Sequence, residues 1–505
     1  MIRRVSRRST LALVTLVAVV PLLVWGGAGV GSAASASFVN FEVGGTPPNP
    51  NPAPGHFGPT CPQSTATSRC TNNASEPAID ASGAGIFFGS SENGLGGGTN
   101  AWRSTSTAAT HYQELTMPNQ TSATSDSGFA PGGGDTDIAV ATAKNAGGQF
   151  NVYVASLSLA DVDVSTSTNG GATWSLNPVG ASIPGDDREW IAAIGSSKVC
   201  ISYHDVSTFR IHVNCSTDAG ATFTQLGEAI DADHSFLTDQ NQIGNLGISR
   251  AAGHPIYQIM VGPTTAQELV TCGTPSGPPS CYRTVWIGVS TDGGQTFTDY
   301  KVYTGSPSQS FDHNFPNLAV DRAGNVYAAF SDDHRVYFAA STDGGKTWSK
   351  AVKANGSPVA TAIFPWLEAG TAGRVDLVYY GTAYSNGSTP PDNFPNSAAW
   401  HVYMAQNLQA TTAGSPFTQY QASPVVHHGG VCEGGISCTG NRDLYDDFGV
   451  AASPVTGLAS IIYSDDQYTN TASAPPLPGC TKAKSNSPSC DHTMIATQTG
   501  GPRLF

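Results

Sequence analysis

The side chains best able to do chemistry in this chain sit in short acidic runs. These are Gly185-Asp186-Asp187-Arg188-Glu189-Trp190, Asn441-Arg442-Asp443-Leu444-Tyr445-Asp446-Asp447, Ser331-Asp332-Asp333-His334-Arg335, Ser464-Asp465-Asp466 and His204-Asp205, joined by the more isolated Glu76, Asp135 and Asp137. Two carboxylates facing each other across a small gap are the usual means of hydrolysing a glycosidic bond. Signatures of other chemistries are missing: there is no G-x-S-x-G elbow, no H-E-x-x-H helix and no phosphate loop. The glycine runs at Gly94 to Thr99 and Pro131 to Asp135 are followed by no helix and read as turns. Asp231, Asp233 and Asp239 in DADHSFLTD offer calcium-type oxygen ligands at short spacing, but the turn glycine and closing glutamate of a helix-loop-helix site are absent. They read as a solvated acidic loop, so no cofactor is expected beyond that calcium option. His427 and His428 are a second metal option, with a solvent-exposed pair as the default reading.

Runs this far apart in sequence can meet only if a scaffold folds them together, and the chain advertises one. Four near-copies of an octapeptide recur: STNGGATW from Ser167, STDAGATF from Ser216, STDGGQTF from Ser290 and STDGGKTW from Ser341. Each reads as a strand-to-strand turn. The third-place side chain (Asn169, Asp218, Asp292 or Asp343) can accept backbone N–H bonds within the turn. The fifth-place glycine permits positive φ, and the closing aromatic buries a large apolar surface. Three strand-like runs precede each copy, most clearly Asn317 to Asp321, Val326 to Phe330 and Val336 to Ala340 before the last. No helical periodicity of useful length follows the leader.

The octapeptides resemble the Asp-box, or BNR repeat, of sialidase-like β-propellers. The resemblance implies an all-β fold of four-stranded antiparallel blades, with the box between the third and fourth strands of each. Three further units keep the rhythm without the box, opening at Glu76, Phe364 and Asp447; Ser106 stands where the first of them would carry its Asp. The last unit supplies three strands before the sequence ends, and Ser37 to Val43 alternates like the missing fourth. A ring must pair its edges, so the expectation is a seven-bladed propeller closed by the N-terminal strand, six blades being the alternative. Residues 1–36 read as a signal peptide, 37–75 as closing strand and Pro-rich spacer, and 76–505 as the propeller.

In that family the box turns lie on one face, while the starts of first strands and the ends of second strands surround a funnel on the other, where ligands bind. The acidic runs fall at those funnel positions. Carried over from sialidases, the resemblance implies three arginines that hold a substrate carboxylate, a tyrosine nucleophile and an aspartate acid/base. The residues placed to face the funnel in those roles are Arg188, Arg335 and Arg442, then Tyr445 with Asp446 beside it, and Asp187 or Asp135. Glu189, His204, Asp205, Asp332 and Asp333 complete the expected ligand-binding set. The chain departs from the pattern: the R-I-P signature of the first family arginine is missing and the arginines do not sit in the family's motifs, a funnel rich in Asp repels an anionic sugar, and seven blades differ from the six of true sialidases. The alternative is a propeller that binds a glycan or an exported protein without turnover. Trp190, Trp366 and Tyr445 could stack on sugar rings, although the two tryptophans sit inside apolar first strands and read first as core.

Compartment and charge narrow the partners. Arg3, Arg4, Arg7 and Arg8 precede an apolar run from Leu11 to Val24 and an Ala34-Ser35-Ala36 cleavage site, the form of an export leader. Ten cysteines follow as near neighbours, Cys61 with Cys70, Cys200 with Cys215, Cys272 with Cys281, Cys432 with Cys438 and Cys480 with Cys490, and local disulfides are the simplest pairing. With 37 acidic and 23 basic side chains the net charge is −14, and loss of the four leader arginines takes it to −18. Such a surface repels polyanions. The expectation is a secreted, extracellular monomer with a glycan or exported protein as partner, no nucleic acid, and no membrane insertion once the leader is removed.

Overall fold

The computed structural model describes residues 35–43, 76–92, 98–119, 132–158, 161–181, 183, 185–312, 315–387, 389–434, 438, 442–468, 479–484 and 490–505. Seven antiparallel sheets follow one another along the chain, each built on four strands, in sequence order in the first six, with one extra strand in the sixth. The first strands are Ala78–Ala81, Thr136–Lys144, Asp186–Ile194, Gln242–Ile248, Asn317–Val320, Thr361–Ala369 and Gly449–Ala452, opening blades one to seven. Only blade seven breaks sequence order: its fourth strand is Ser37–Glu42, which pairs with His492–Gly500 and shuts the ring. The seven-bladed expectation and its N-terminal closure both hold.

Alternating side chains from adjacent sheets form the core. Between blades four and five, for example, Tyr257, Ile259 and Ile287 pack with Leu318, Ala328 and Phe330, all at most 2% exposed. Each fully buried side chain of this size contributes roughly 1.5–3 kcal/mol. The propeller is therefore held by its blade–blade seams.

The octapeptide turns occupy the same place in blades two to five, between third and fourth strands. Their chemistry repeats. In the Ser341 copy the serine hydroxyl donates to Asp343 Oδ1 (2.8 Å) and accepts from the Gly345 N–H (2.9 Å), while Asp343 also accepts from the Thr347 N–H (2.9 Å) and hydroxyl (2.6 Å). The Ser216 and Ser290 copies show the same set. Gly345 adopts φ +85°, the conformation a side chain would resist.

The disulfides Cys200–Cys215, Cys272–Cys281, Cys432–Cys438 and Cys480–Cys490 are formed, as expected for an oxidising compartment. Cys61 and Cys70 lie outside the described residues. Cys200 and Cys215 face each other across the second and third strands of blade three; the other three close loops between strands. One of these loops, between the second and third strands of blade four, carries the short helix Ala266–Thr271, capped by the Thr265 hydroxyl. No periodicity announced it because six residues are too few to show one. Among the described residues no helix is long and apolar enough to cross a membrane.

Candidate functional site

The strand that opens blade three carries the site's central residue by means of an irregularity. In its pairing with Lys198–Asp205, Asp187 faces His204 and Glu189 faces Tyr203, so Arg188 is an extra residue with no partner. It sits at φ +59°, a conformation that costs a non-glycine residue on the order of 1–2 kcal/mol. A bulge of this kind turns a side chain away from the sheet. The Arg188 guanidinium lies over Phe315 (4.3 Å from the ring centre) and Trp190 (5.3 Å). Trp190 in turn meets Phe315 and Trp366 from blades five and six. These tryptophans form an aromatic floor, in agreement with their reading as core.

Around Arg188 stand carboxylates from three other blades. Its Nε lies 3.3 Å from Asp135 at the start of blade two, Nη2 3.3 Å from Glu76 ahead of blade one, and Nη1 3.1 Å from Asp447 ahead of blade seven, with Asp446 at 3.8 Å. Arg442 shares two of these partners, at 2.8 Å from Glu76 and 2.6 Å from Asp446, and its guanidinium lies 5.4 Å from the centre of the Tyr445 ring. Glu76 thus spends one oxygen on each arginine. Glu76 and Tyr445 also have positive φ, 45° and 58°. Strained backbone of this kind persists only where surroundings over-determine it, and it concentrates at functional sites.

Electrostatics set these acids apart from one another. Burial, then the charge of Asp135, pushes Glu76 well above the ordinary carboxylate range. Burial also lifts Asp447, to about 7, against the pull of Arg188. Asp135 goes the other way: burial opposes ionisation, but Arg188, Glu76 and Arg442 together hold it below its usual value. Glu189 is 1% exposed, its two oxygens have no hydrogen-bond partner, and burial followed by the Asp135 charge raises it strongly. Asp187 stands exposed at the rim, raised by partial enclosure and by Asp135. A cluster holding both a proton-bearing and an ionised carboxylate is equipped for general acid–base work.

The remaining expected residues lie elsewhere. Arg335 pairs with Asp332 on its own turn (3.5 Å) and touches none of the carboxylates around Arg188. Asp332 also accepts from the Tyr337 hydroxyl and the Gln309 amide, and Asp333 occupies a positive-φ turn position. Burial pushes Asp205 up, but the bonds it accepts from Ser207 and Thr208 together outweigh that and bring it down to about 2, and His204 beside it is lowered to about 4 by burial. These groups stabilise turns. Asp231 caps the segment Ala232–Asp239 and exchanges backbone bonds with Asp299, while Asp233 and Asp239 take no part. Sequence reasoning missed Asp491, 2% exposed, which follows Cys490 with nothing else to mark it.

No protein-family model and no curated protein sequence matches the chain. Solved structures resemble it only loosely and at low identity. A protein of unknown function from Dyadobacter fermentans is 13% identical, with 72% of this chain and 93% of that one covered and a TM-score of 0.43. A GH93 α-L-arabinofuranosidase of Fusarium graminearum is also 13% identical, covering 65% and 92%, at 0.41. An intramolecular trans-sialidase from Ruminococcus gnavus is 11% identical, covering 88% and 96%, at 0.37. Overlays this loose leave the chemistry of the mouth to be argued from its own residues.

Proposed function

We propose that this chain is an exported propeller whose mouth binds a neutral or amino-substituted extracellular glycan and cleaves it with two carboxylates, Asp187 giving the proton and Asp135 acting as the ionised partner. The observation that carries this reading is the saturation of the mouth's arginines. Arg188 is ringed by four carboxylates, and Arg442 is held by two of the same four. A sialic acid would bring one more carboxylate to guanidiniums already neutralised, into a site where acids outnumber arginines; the Coulomb cost argues against it. A neutral or basic sugar pays no such cost and gains acceptors for its hydroxyl or amino groups.

Capture without turnover is the second reading, favoured by how little of Asp446 and Asp447 is open, 10% and 9% of their side chains. A panel of chromogenic glycosides, neutral, amino-substituted and sialylated, separates the two. The hydrolase reading expects turnover of a neutral or amino substrate that falls at least about 100-fold in Asp187→Asn and Asp135→Asn. Saturable glycan binding with no turnover selects capture. Preferential turnover of the sialoside, lost in Tyr445→Phe and Arg442→Ala, overturns the charge argument and restores a sialidase.

A further inference from the structure

Every phenylalanine, tyrosine and tryptophan among the described residues is buried or half-buried, with one exception. Phe209 leaves 45% of its surface open to solvent. It ends the turn 206–209 between the second and third strands of blade three, Lys198–Asp205 and Arg210–Ser216. That turn stands on the mouth side: the Val206 N–H donates to the carbonyl of Gly185 (3.1 Å), just ahead of the strand that carries Asp187 and Arg188. A single exposed apolar residue is ordinary by itself. This one is held under strain.

Phe209 has φ +55°, a left-handed conformation that glycine or asparagine adopts more easily. Its surroundings impose it. The Phe209 N–H donates to the Asp205 carbonyl (2.8 Å). The Phe209 carbonyl accepts from Nδ2 of Asn241 (2.6 Å), a buried side chain ahead of blade four that also holds the Leu237 carbonyl (2.8 Å). Asp205, at the start of the turn, is fixed by Ser207 and Thr208. Stability alone favours a small residue at such a position, so an apolar ring pinned there and left half in water points to a use for the ring.

The position of the ring relative to the mouth supplies that use. It meets the His204 imidazole at 61°, with 5.7 Å between ring centres, and His204 is paired with Asp187 across the first and second strands. Residues directly opposite in an antiparallel sheet share a face, their side chains starting about 5 Å apart. Asp187, His204 and Phe209 therefore form a row from the carboxylate that gives the proton to the rim. Burial keeps His204 uncharged near neutral pH, lowered to about 4, so no cation interrupts the row. Arg188 gathers its acids from blades one, two and seven, whereas Phe209 lies on the other flank, toward blade four.

We propose that Phe209 is the platform for the leaving-group side of the glycan: a sugar unit beyond the bond at Asp187 lays the C–H face of its ring against the phenyl. The apolar face of a pyranose suits an aromatic surface, and an amino-substituted unit adds the attraction of its ammonium for the π-face. The platform rests on the reading of the mouth as a glycan site and narrows it, from a lone terminal sugar to an oligosaccharide that runs outward over blade three.

Xylohexaose, mannohexaose and the hexamer of glucosamine are the probes, neutral and amino-substituted, applied to the full chain as wild type, Phe209→Ala and Phe209→Trp. The Kd of a hexamer that is bound, or the KM of one that is cleaved, should rise at least about fivefold in Phe209→Ala, with kcat changed less than KM. The alanine variant should melt close to the wild type, because the ring is exposed and the turn is held by backbone bonds. Phe209→Trp should recover the wild-type value, and its indole emission should shift on saturation with the same hexamer. A Kd or KM unchanged in Phe209→Ala overturns the platform and leaves the glycan site standing. A wild type that neither binds nor cleaves any of these hexamers overturns both. Should Phe209→Ala fail to fold, the tryptophan variant decides, since emission unmoved by saturating hexamer overturns the platform.

Discussion

Arg188 is a buried cation whose worth depends on the acids around it, and that dependence can be measured. Replacing it by Met leaves Glu76, Asp135, Asp446 and Asp447 with Arg442 alone, and removing one partner from a buried ionic group typically costs about 3–5 kcal/mol. Asp135, the one of these acids that Arg188 holds below its usual value, responds by taking up a proton, so its folded pKa rises above the unfolded one. Stability from such groups is present at low pH and lost as pH rises, and Arg188→Met should therefore lose more at pH 8 than at pH 5 in denaturant titrations. Equal losses at both would mean that the guanidinium is not what keeps Asp135 ionised. A simpler acid gives a cleaner sign. Asp376 is buried, keeps one oxygen without a partner and bonds Gln406 through the other; burial lifts it to about 7 against that bond. Its contribution is complete below the ordinary value near 3.8 and disappears as pH climbs through about 7. Asp376→Asn should flatten the fall in melting temperature between pH 4 and 7, and an unchanged slope would show that Asp376 takes no part in it.

At the scale of single elements, the octapeptide turns offer their own control. Asp343 accepts from Ser341 and twice from Thr347, whereas Asn169, at the same place in blade two, keeps the serine and backbone bonds through Oδ1 and reverses the third by donating to Thr173. Asp343→Asn should thus be mild and Asp343→Ala should cost about 1–2 kcal/mol, the usual value of a lost turn cap. Thr347 and Ser341 hold Asp343 down to about 2, so the difference between wild type and alanine variant should persist from pH 7 to about 4 and shrink as pH falls further. These turns were legible in sequence because their bonds are local: serine, acid, glycine and threonine meet within eight residues. The bulge at Arg188 was not legible. Its register is fixed by partners on Lys198–Asp205 and its positive φ by contacts with blades one, two and seven, none of which leaves a local mark. Arg335 shows the converse, since an acidic run at the right blade position proved to be a turn closed on itself.

For the whole molecule, ring closure and the mouth are one problem. The strand Ser37–Glu42 pairs along His492–Gly500. Asn40 accepts from the Tyr463 hydroxyl of blade seven (2.7 Å) and donates to the Ala422 carbonyl of blade six (2.9 Å), while Phe41 packs near Tyr112 of blade one. A strand of six residues thereby touches three blades. The seam it closes is also the one that the site spans, because Glu76 precedes blade one and its partners Arg442 and, through Arg188, Asp447 precede blade seven. Phe41→Ala should cost about 3 kcal/mol or more, as truncation of a buried aromatic does. A chain beginning at Glu76 goes further: His492–Gly500 becomes an unpaired edge, and the expected result is a lower melting temperature with self-association visible by size-exclusion chromatography. A synthetic peptide of residues 35–43 should reverse both by pairing in trans. Whatever ligand the mouth binds, its affinity should fall with the truncation and return with the peptide, since the Glu76–Arg442 pair can form only across a closed seam. Restored size without restored binding would separate the two, and would mean that the mouth is assembled within blades and owes nothing to closure of the ring.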